Sequence, residues 1–131
     1  MKKQGILNHQ IMLAISTMGH TDTLVIADAG LPIPPDVVRI DLALIPGVPG
    51  FVETLRAVLE ELQVEGAVVA SEMKEKNPAV ADAVHGLLNG VSVEEVPHER
   101  LKELTGKAVA VIRTGECTPY ANVILRSGVT F

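Results

Sequence analysis

A histidine and an aspartate lie on either side of a short apolar run in the segment GHTDTLVIADAGLP, residues 19–32. An imidazole with an ordinary pKa of about 6.5 can give and take protons near neutral pH, so His20 is a candidate acid–base group. The carboxylate of Asp28 can accept hydrogen bonds from hydroxyl groups. Each residue also has a structural explanation, because a histidine can end a helix and an aspartate before Ala29-Gly30 can form a turn.

A second group of polar side chains lies in TGECTPYAN, residues 114–122, between two apolar runs. Polar groups this dense around a rigid proline suit a site that binds hydroxyl groups. An ordinary loop in which Tyr120 packs its ring and exposes its hydroxyl explains the same pattern. His98-Glu99 is a third candidate position, although this pair could simply begin a short helix. The candidate residues of the segment 114–122 are Glu116, Cys117, Thr118, Tyr120 and Asn122. The candidate residue of the His98-Glu99 pair is His98.

Several kinds of chemistry lack their usual patterns. The sequence has no G-x-G-x-x-G or Walker motif for phosphates, and no H-E-x-x-H or C-x-x-C motif for metals. A metal site would require His20, Asp22, Asp28 or His98 to converge, and His-x-Asp is a weak signal. Cys117 has no visible partner base that would make it a nucleophile. Proton transfer on a hydroxylated ligand, without metal or cofactor, is the remaining interpretation.

Short strands and helices alternate along the chain. Asn8 can cap a helix over residues 8–18, and the Asn77-Pro78 pair is typical of a helix start. We predict one domain over residues 1–131, an α/β protein with a three-layer α/β/α sandwich and a mixed, largely parallel sheet. The expected strands are 23–27, 37–44, 64–70, 91–96, 108–113 and 122–131, and the further expected helices are 51–63, 77–89 and 98–104.

Ligands of open α/β sheets bind at the carboxyl ends of the strands. Asp28, Glu72, His98 and the loop 113–122 each follow an expected strand, so we expect them at one edge of the sheet. His20 precedes the strand that Asp28 follows, and five residues span roughly 16 Å at about 3.3 Å each. The sequence therefore predicts either a site shared between two chains or a GHTD loop that curls back toward Asp28.

Composition limits the possible partners. Apolar residues make up 47% and charged residues 21% of the 131 residues, which indicates a globular chain. The formal charge of −5 and the three aromatic residues argue against nucleic acid, and no apolar run is long enough for a membrane span. Two lysines without an apolar segment at the N-terminus predict no signal peptide, and a single cysteine favours the cytoplasm. A mean hydropathy of +0.32 predicts apolar contacts between subunits, and the SGVTF terminus suggests a docked tail.

Long blocks of the sequence resemble the D-ribose pyranase family, which is related to L-fucose mutarotase. The matching blocks occur in order from Met1 to Phe131, with residues 73–97 contributing little: MKKQGILN, GHTDTLVIADAGLP, RIDLAL, HERLKELT, VIRTGECTPYANVIL and GVTF. The resemblance implies an enzyme that interconverts the pyranose and furanose forms of D-ribose without a cofactor and supplies furanose to ribokinase. It also implies ring-shaped assemblies, commonly homodecamers, whose sites are completed by a neighbouring subunit.

The same resemblance assigns roles to individual residues. It implies that His20 is the proton donor and that the sugar is contacted by Asp28, His98, Tyr120, Ala121 and Asn122. Glu116 and His98 both remain candidates for the base that removes the anomeric proton. Three alternatives stay open at this stage: a non-catalytic ribose-binding module linked to sugar uptake, a fucose-type mutarotase, and a metal-dependent hydrolase.

Overall fold

Six strands form one mixed sheet in the computed structural model, which describes all residues from Met1 to Phe131. The strands are β1 (Thr23–Ala27), β2 (Val38–Asp41), β3 (Val64–Ala70), β4 (Ser92–Val96), β5 (Ala110–Arg113) and β6 (Val123–Ser127). The helices are α1 (His9–Thr17), α2 (Phe51–Leu59), α3 (Met73–Lys76), α4 (Pro78–Leu87) and α5 (His98–Leu104), followed by a 3₁₀ turn at Thr105–Lys107. No helix has the length and apolar character needed to cross a membrane.

The strand order is β2-β5-β1-β6-β3-β4. β1 pairs in parallel with β5, β5 with β2, and β3 with β4, whereas β6 runs antiparallel between β1 and β3. Five strands therefore point the same way, and their carboxyl ends meet at one edge of the sheet. We call this the carboxyl edge, and the opposite side the amino edge. The predicted mixed, largely parallel sheet is confirmed.

One face of the sheet is covered by three amphipathic helices. In α2, Phe51, Leu55 and Val58 recur at helical spacing and are completely buried. α1 and α4 bury smaller stripes on the same face of the sheet, beside Leu24 and Ile26 of β1. Burying a side chain of this size contributes roughly 1.5–3 kcal/mol, so this layer holds the main core.

The other face has a thinner cover. Leu101 of α5 and Leu31 and Val37 of the β1–β2 connection pack against Val25 and Val111. The layers are therefore helix, sheet and helix as predicted, with the second helical layer reduced to one short helix and a loop.

The structure agrees with the two predicted helix starts but not with a docked tail. Asn8 caps α1 as predicted, because its Oδ1 accepts the Ile11 N–H at 2.9 Å. Asn77 is the N-cap residue of α4 and Pro78 is its first residue, as predicted, but the Asn77 side chain makes no capping hydrogen bond and instead donates to Thr118 in the loop before β6. The expectation of a docked tail is wrong within one chain, because Val129 and Phe131 are exposed.

Candidate active site at the carboxyl edge

Most of the sequence-predicted site residues lie together at the carboxyl edge. Asp28 directly follows β1, and His98 begins α5 two residues after β4 ends. The antiparallel β6 begins at the same edge, so the loop that precedes it brings Tyr120, Ala121 and Asn122 there as well. The reversed direction of β6 is what joins this loop to the ends of the parallel strands.

Asp28 and Asn122 hold each other through two hydrogen bonds. The backbone N–H of Asp28 donates to Asn122 Oδ1, and Asn122 Nδ2 donates to Asp28 Oδ2, both at 2.9 Å. The other carboxylate oxygen of Asp28 accepts the Gly30 N–H at 2.9 Å. Asn122 and Ala121 are fully buried, whereas Asp28 is partly exposed. Asn122 thus orients the Asp28 carboxylate, and a direct sugar contact from Ala121 or Asn122 stays a prediction.

Tyr120 and His98 form an edge-to-face aromatic pair. Their ring centroids are 5.0 Å apart with an interplanar angle of 81°, a favourable arrangement for aromatic rings. Tyr120 has φ of 58°, a left-handed conformation that a bulky residue rarely adopts. Such strain persists only where surrounding contacts impose it and often marks a functional position. Here the backbone N–H of Asn122 donates to the Tyr120 carbonyl at 2.9 Å and stabilises the turn.

The imidazole of His98 has one nitrogen inside the protein and one facing outward. Nδ1 is buried without a hydrogen-bond partner. A buried lone pair costs less than a buried N–H without an acceptor, so the neutral ring carries its proton on Nε2. His98 is therefore suited to donate a hydrogen bond to a sugar oxygen. Its backbone N–H donates to Glu72 Oε2 at 2.9 Å, which fixes the start of α5.

Glu116, one of the two candidate bases, is occupied by structural contacts. Its Oε1 accepts the Phe51 N–H at the start of α2 at 3.1 Å, where a carboxylate also interacts favourably with the helix dipole. Its Oε2 accepts the Thr118 hydroxyl at 2.9 Å. Thr118 Oγ1 also accepts from Asn77 Nδ2 at 2.8 Å. Glu116 thus supports the loop, and its role as a base stays a prediction.

The connection after Asp28 is supported by an ion pair. Arg113 Nε donates to the Ala29 carbonyl at 2.9 Å, and Arg113 Nη1 lies 3.1 Å from Asp41 Oδ1. For Asp41, burial raises the pKa, but the Ala43 N–H and the Arg113 hydrogen bond and charge outweigh it, so the net pKa lies below the ordinary value. Asp41 therefore remains charged and keeps Arg113 in place at neutral pH.

An open depression of about 470 Å³ adjoins this cluster. It is lined by Asp28, Ala29, Gly30, Glu116, Cys117, Thr118 and Pro119. A more enclosed groove of about 260 Å³ lies on the sheet face beside Leu104 and Lys107, but it contains none of the predicted site residues. Of the predicted sugar contacts, Asp28 lines this depression, whereas His98, Tyr120 and Asn122 do not, so a site that spans the whole cluster stays a prediction.

His20 lies at the amino edge, away from the other candidates. The Thr21 N–H donates to the Ser127 carbonyl at 2.9 Å, and Ser127 N–H donates to the Asp22 carbonyl at 2.8 Å, which ties the GHTD loop to the end of β6. The length of β1 separates His20 from Asp28, as the sequence predicted, and the loop does not curl back. The structure brings no group of three metal-binding side chains together.

Three supporting residues are not among the site residues that sequence reasoning assigned. The sequence indicates Glu72 only as a polar residue that follows a strand, and Asn77 only as a helix cap. Glu65, which contacts His20, is a single charged residue inside an apolar strand. The contact of Glu65 with His20 depends on which strands are neighbours in the sheet. The one sequence signal for Glu65 is that it is the single charged residue of VEGAVVA.

Comparison with known proteins assigns the chain to a family. The sequence profile of the RbsD / FucU transport protein family matches residues 1–130, and the chain belongs to this family. It is 58% identical to the D-ribose pyranase of Symbiobacterium thermophilum over the full length of both chains. Among solved structures, RbsD of Bacillus subtilis complexed with D-ribose is 49% identical, with a TM-score of 0.97 and complete coverage of both chains.

A more distant structure shares the fold. FucU from Bifidobacterium longum is 24% identical with a TM-score of 0.81, over 95% of this chain and 97% of that one. At this identity the likeness extends to the fold alone. The ribose-bound relative is thus much nearer in sequence and in backbone than FucU.

Proposed function

We propose that this protein is a D-ribose pyranase, an isomerase that interconverts the pyranose and furanose rings of D-ribose. The observation that carries the proposal is the 58% identity to a D-ribose pyranase over the full length of both chains. The likeness to a relative complexed with D-ribose supports the same substrate.

Changing the ring size requires two proton transfers. The hemiacetal opens when the ring oxygen gains a proton and the anomeric hydroxyl loses one, and it closes again through a different hydroxyl. No hydride moves and no carbon–carbon bond breaks, so acid–base groups suffice. Positioned general acid–base catalysis typically contributes about 10²–10⁴-fold, which suits a reaction that already proceeds slowly in water.

We assign the proton donor to His20 and the sugar contacts to the carboxyl edge. Asp28 offers a fixed carboxylate, His98 a donor at Nε2, and Tyr120 a hydroxyl that makes no hydrogen bond within the chain. Asn122 acts mainly by orienting Asp28, and Ala121 is a fully buried member of the main core.

The positions of His20 and Asp28 support a site between subunits. His20 lies at the amino edge and Asp28 at the carboxyl edge, so the amino edge of one chain must meet the carboxyl edge of another. Contact between two different surfaces of the same chain gives a closed ring where the rotation closes and an open filament where it does not. This supports a ring-shaped homo-oligomer, and the family resemblance suggests a cytoplasmic homodecamer that supplies ribokinase. Light scattering of the purified protein measures the subunit number.

Exchange spectroscopy tests the enzymatic proposal directly. NMR magnetisation transfer between ribopyranose and ribofuranose signals should increase when micromolar protein is added. His20→Ala should fold normally and lose most of the increase. Binding of ribose without faster exchange would instead indicate a ribose-binding module. A preference for fucose over ribose would indicate a mutarotase.

A further inference from the structure

The imidazole of His20 is held by a carboxylate that the sequence did not reveal. His20 Nε2 lies 2.8 Å from Oε2 of Glu65, the second residue of β3. The other oxygen, Oε1, lies 3.2 Å from Nε of Arg126 on the neighbouring strand β6. Each carboxylate oxygen of Glu65 therefore has its own nitrogen partner, and the three side chains form one chain of contacts along the amino edge.

The register of the sheet brings Arg126 close to Glu65, because Gly66 pairs with Arg126 across the β3–β6 ladder. A Cβ at Gly66 would lie 2.7 Å from a terminal guanidinium nitrogen of Arg126. The absence of a side chain lets Arg126 lie across β3 and reach Glu65. On the other side, Thr21 has φ of 71°, a strained value for a β-branched residue, which is stabilised by its hydrogen bond to Ser127.

We propose that Glu65 is a positioning residue for His20, holding Nε2 and leaving Nδ1 as the nitrogen that exchanges a proton with the sugar. The inference rests on the proposed role of His20. An ionised carboxylate only accepts hydrogen bonds, so Nε2 must be the donor in this contact. Nδ1 makes no contact of this kind within the chain and is free to face a neighbouring subunit's site. The carboxylate also stabilises the imidazolium from which a proton is donated.

If Glu65 and His20 formed only an ordinary surface ion pair, substitution of Glu65 would not lower the rate of exchange. Exposed pairs contribute little to folding stability, commonly below about 1 kcal/mol, and have no effect on catalysis. The chain contains a matched example in Glu95, which lies 2.9 Å from Lys74 Nζ. The side chains of Glu95 and Glu65 are 34% and 35% exposed, so Glu95→Gln is a suitable control for substitutions of Glu65.

The experiment is a double-mutant cycle measured by ribose exchange. Glu65→Ala should lower kcat about tenfold, as removal of an orienting partner commonly does, while KM changes less than about twofold. Glu65→Gln keeps an oxygen that accepts from Nε2 and should retain more activity than Glu65→Ala. In a His20→Ala background, Glu65→Ala should cause no further loss, because its effect passes through His20. Glu95→Gln should match the wild type.

The outcomes separate this inference from the proposed function. If His20→Ala loses exchange but Glu65→Ala keeps full kcat, the positioning role is wrong while the pyranase proposal stands. An equal loss from Glu65→Ala with and without His20 would also overturn it, because Glu65 would then act independently. If the wild-type protein does not accelerate exchange, or His20→Ala keeps full activity, the proposed roles fail first and the inference fails with them.

Discussion

Tyr120 combines a strained backbone with a ring contact and a free hydroxyl. Its φ of 58° places the side chain against His98, where the two rings meet edge to face. The phenol oxygen makes no hydrogen bond within the chain, which is the state expected of a group that binds a ligand. The ring therefore has a role in packing, and a role of the hydroxyl in recognition is a separate prediction.

Removing only the hydroxyl tests this separation. Tyr120→Phe keeps the ring contact with His98 and should leave the free energy of unfolding within about 0.5 kcal/mol of the wild type. The KM for ribose should rise, by about three- to tenfold for one lost hydrogen bond of roughly 0.5–1.5 kcal/mol. Tyr120→Ala should lower stability as well. Denaturant unfolding and exchange kinetics check both, and an unchanged KM in Tyr120→Phe would argue against a sugar contact.

Asn122 orients Asp28 from a fully buried position, so a change of one atom should be costly. Asn122→Asp replaces the donor Nδ2 with an oxygen next to Asp28 Oδ2, and two carboxylates this close cannot both ionise. We expect at least about a tenfold loss of kcat/KM at neutral pH, which is roughly 1.4 kcal/mol, and lower stability. Asn8→Asp is the control, since aspartate caps a helix as well as asparagine does. Equal behaviour of the two variants would contradict the role of Asn122.

The loop before β6 and the loop before α2 depend on each other at the level of elements. Gly115 donates its N–H to the Pro49 carbonyl at 2.8 Å and accepts from Gly47 N–H at 2.6 Å. A Cβ at Gly115 would lie 2.5 Å from Val48 O and 2.7 Å from Ile45 O, and these backbone atoms cannot move easily. The close approach of the two loops is what brings Glu116 to the start of α2.

Adding one methyl group should separate these loops. Gly115→Ala should destabilise the protein by about 1–3 kcal/mol, as overpacking typically does, and should weaken ribose binding because Glu116 and Thr118 move with the loop. Gly106→Ala is the matched control, because a Cβ there meets no atom within 4 Å. Thermal unfolding of both variants measures the difference. A fully stable Gly115→Ala would show that the loops can separate without cost.

The sequence predicts the individual helices and strands better than it predicts which strands are neighbours in the sheet. The apolar run VEGAVVA located β3 at residues 64–70, helical spacing located the start of α2, and the Asn77-Pro78 pair located the start of α4, because those signals are local. Nothing local indicates that β6 enters the sheet between β1 and β3, and that insertion places Glu65 beside His20. Asn77 is the N-cap residue of α4 as predicted, but nothing local indicates that its side-chain amide donates to Thr118, 41 residues away.

At the scale of the whole molecule, the chain exposes apolar residues that a solitary domain would normally bury. Leu44 and Ile45 after β2 and Phe131 at the tail are more than half exposed. Patches of this kind commonly mark contacts between proteins. They agree with the separation of His20 from Asp28, because a chain that needs a neighbour to complete its site also needs surfaces that hold the neighbour.

Mixing two inactive variants tests whether the site is shared. His20→Ala and Asp28→Ala should each lack exchange activity, but co-expressed chains should form mixed rings in which an intact carboxyl edge meets an intact amino edge. Random assembly with one neighbour per site restores about a quarter of the sites, so exchange should recover to roughly that fraction of the wild type. Mixing the purified variants without subunit exchange is the control and should give no recovery. If both groups came from one chain, every site would carry one substitution, and co-expression would restore nothing.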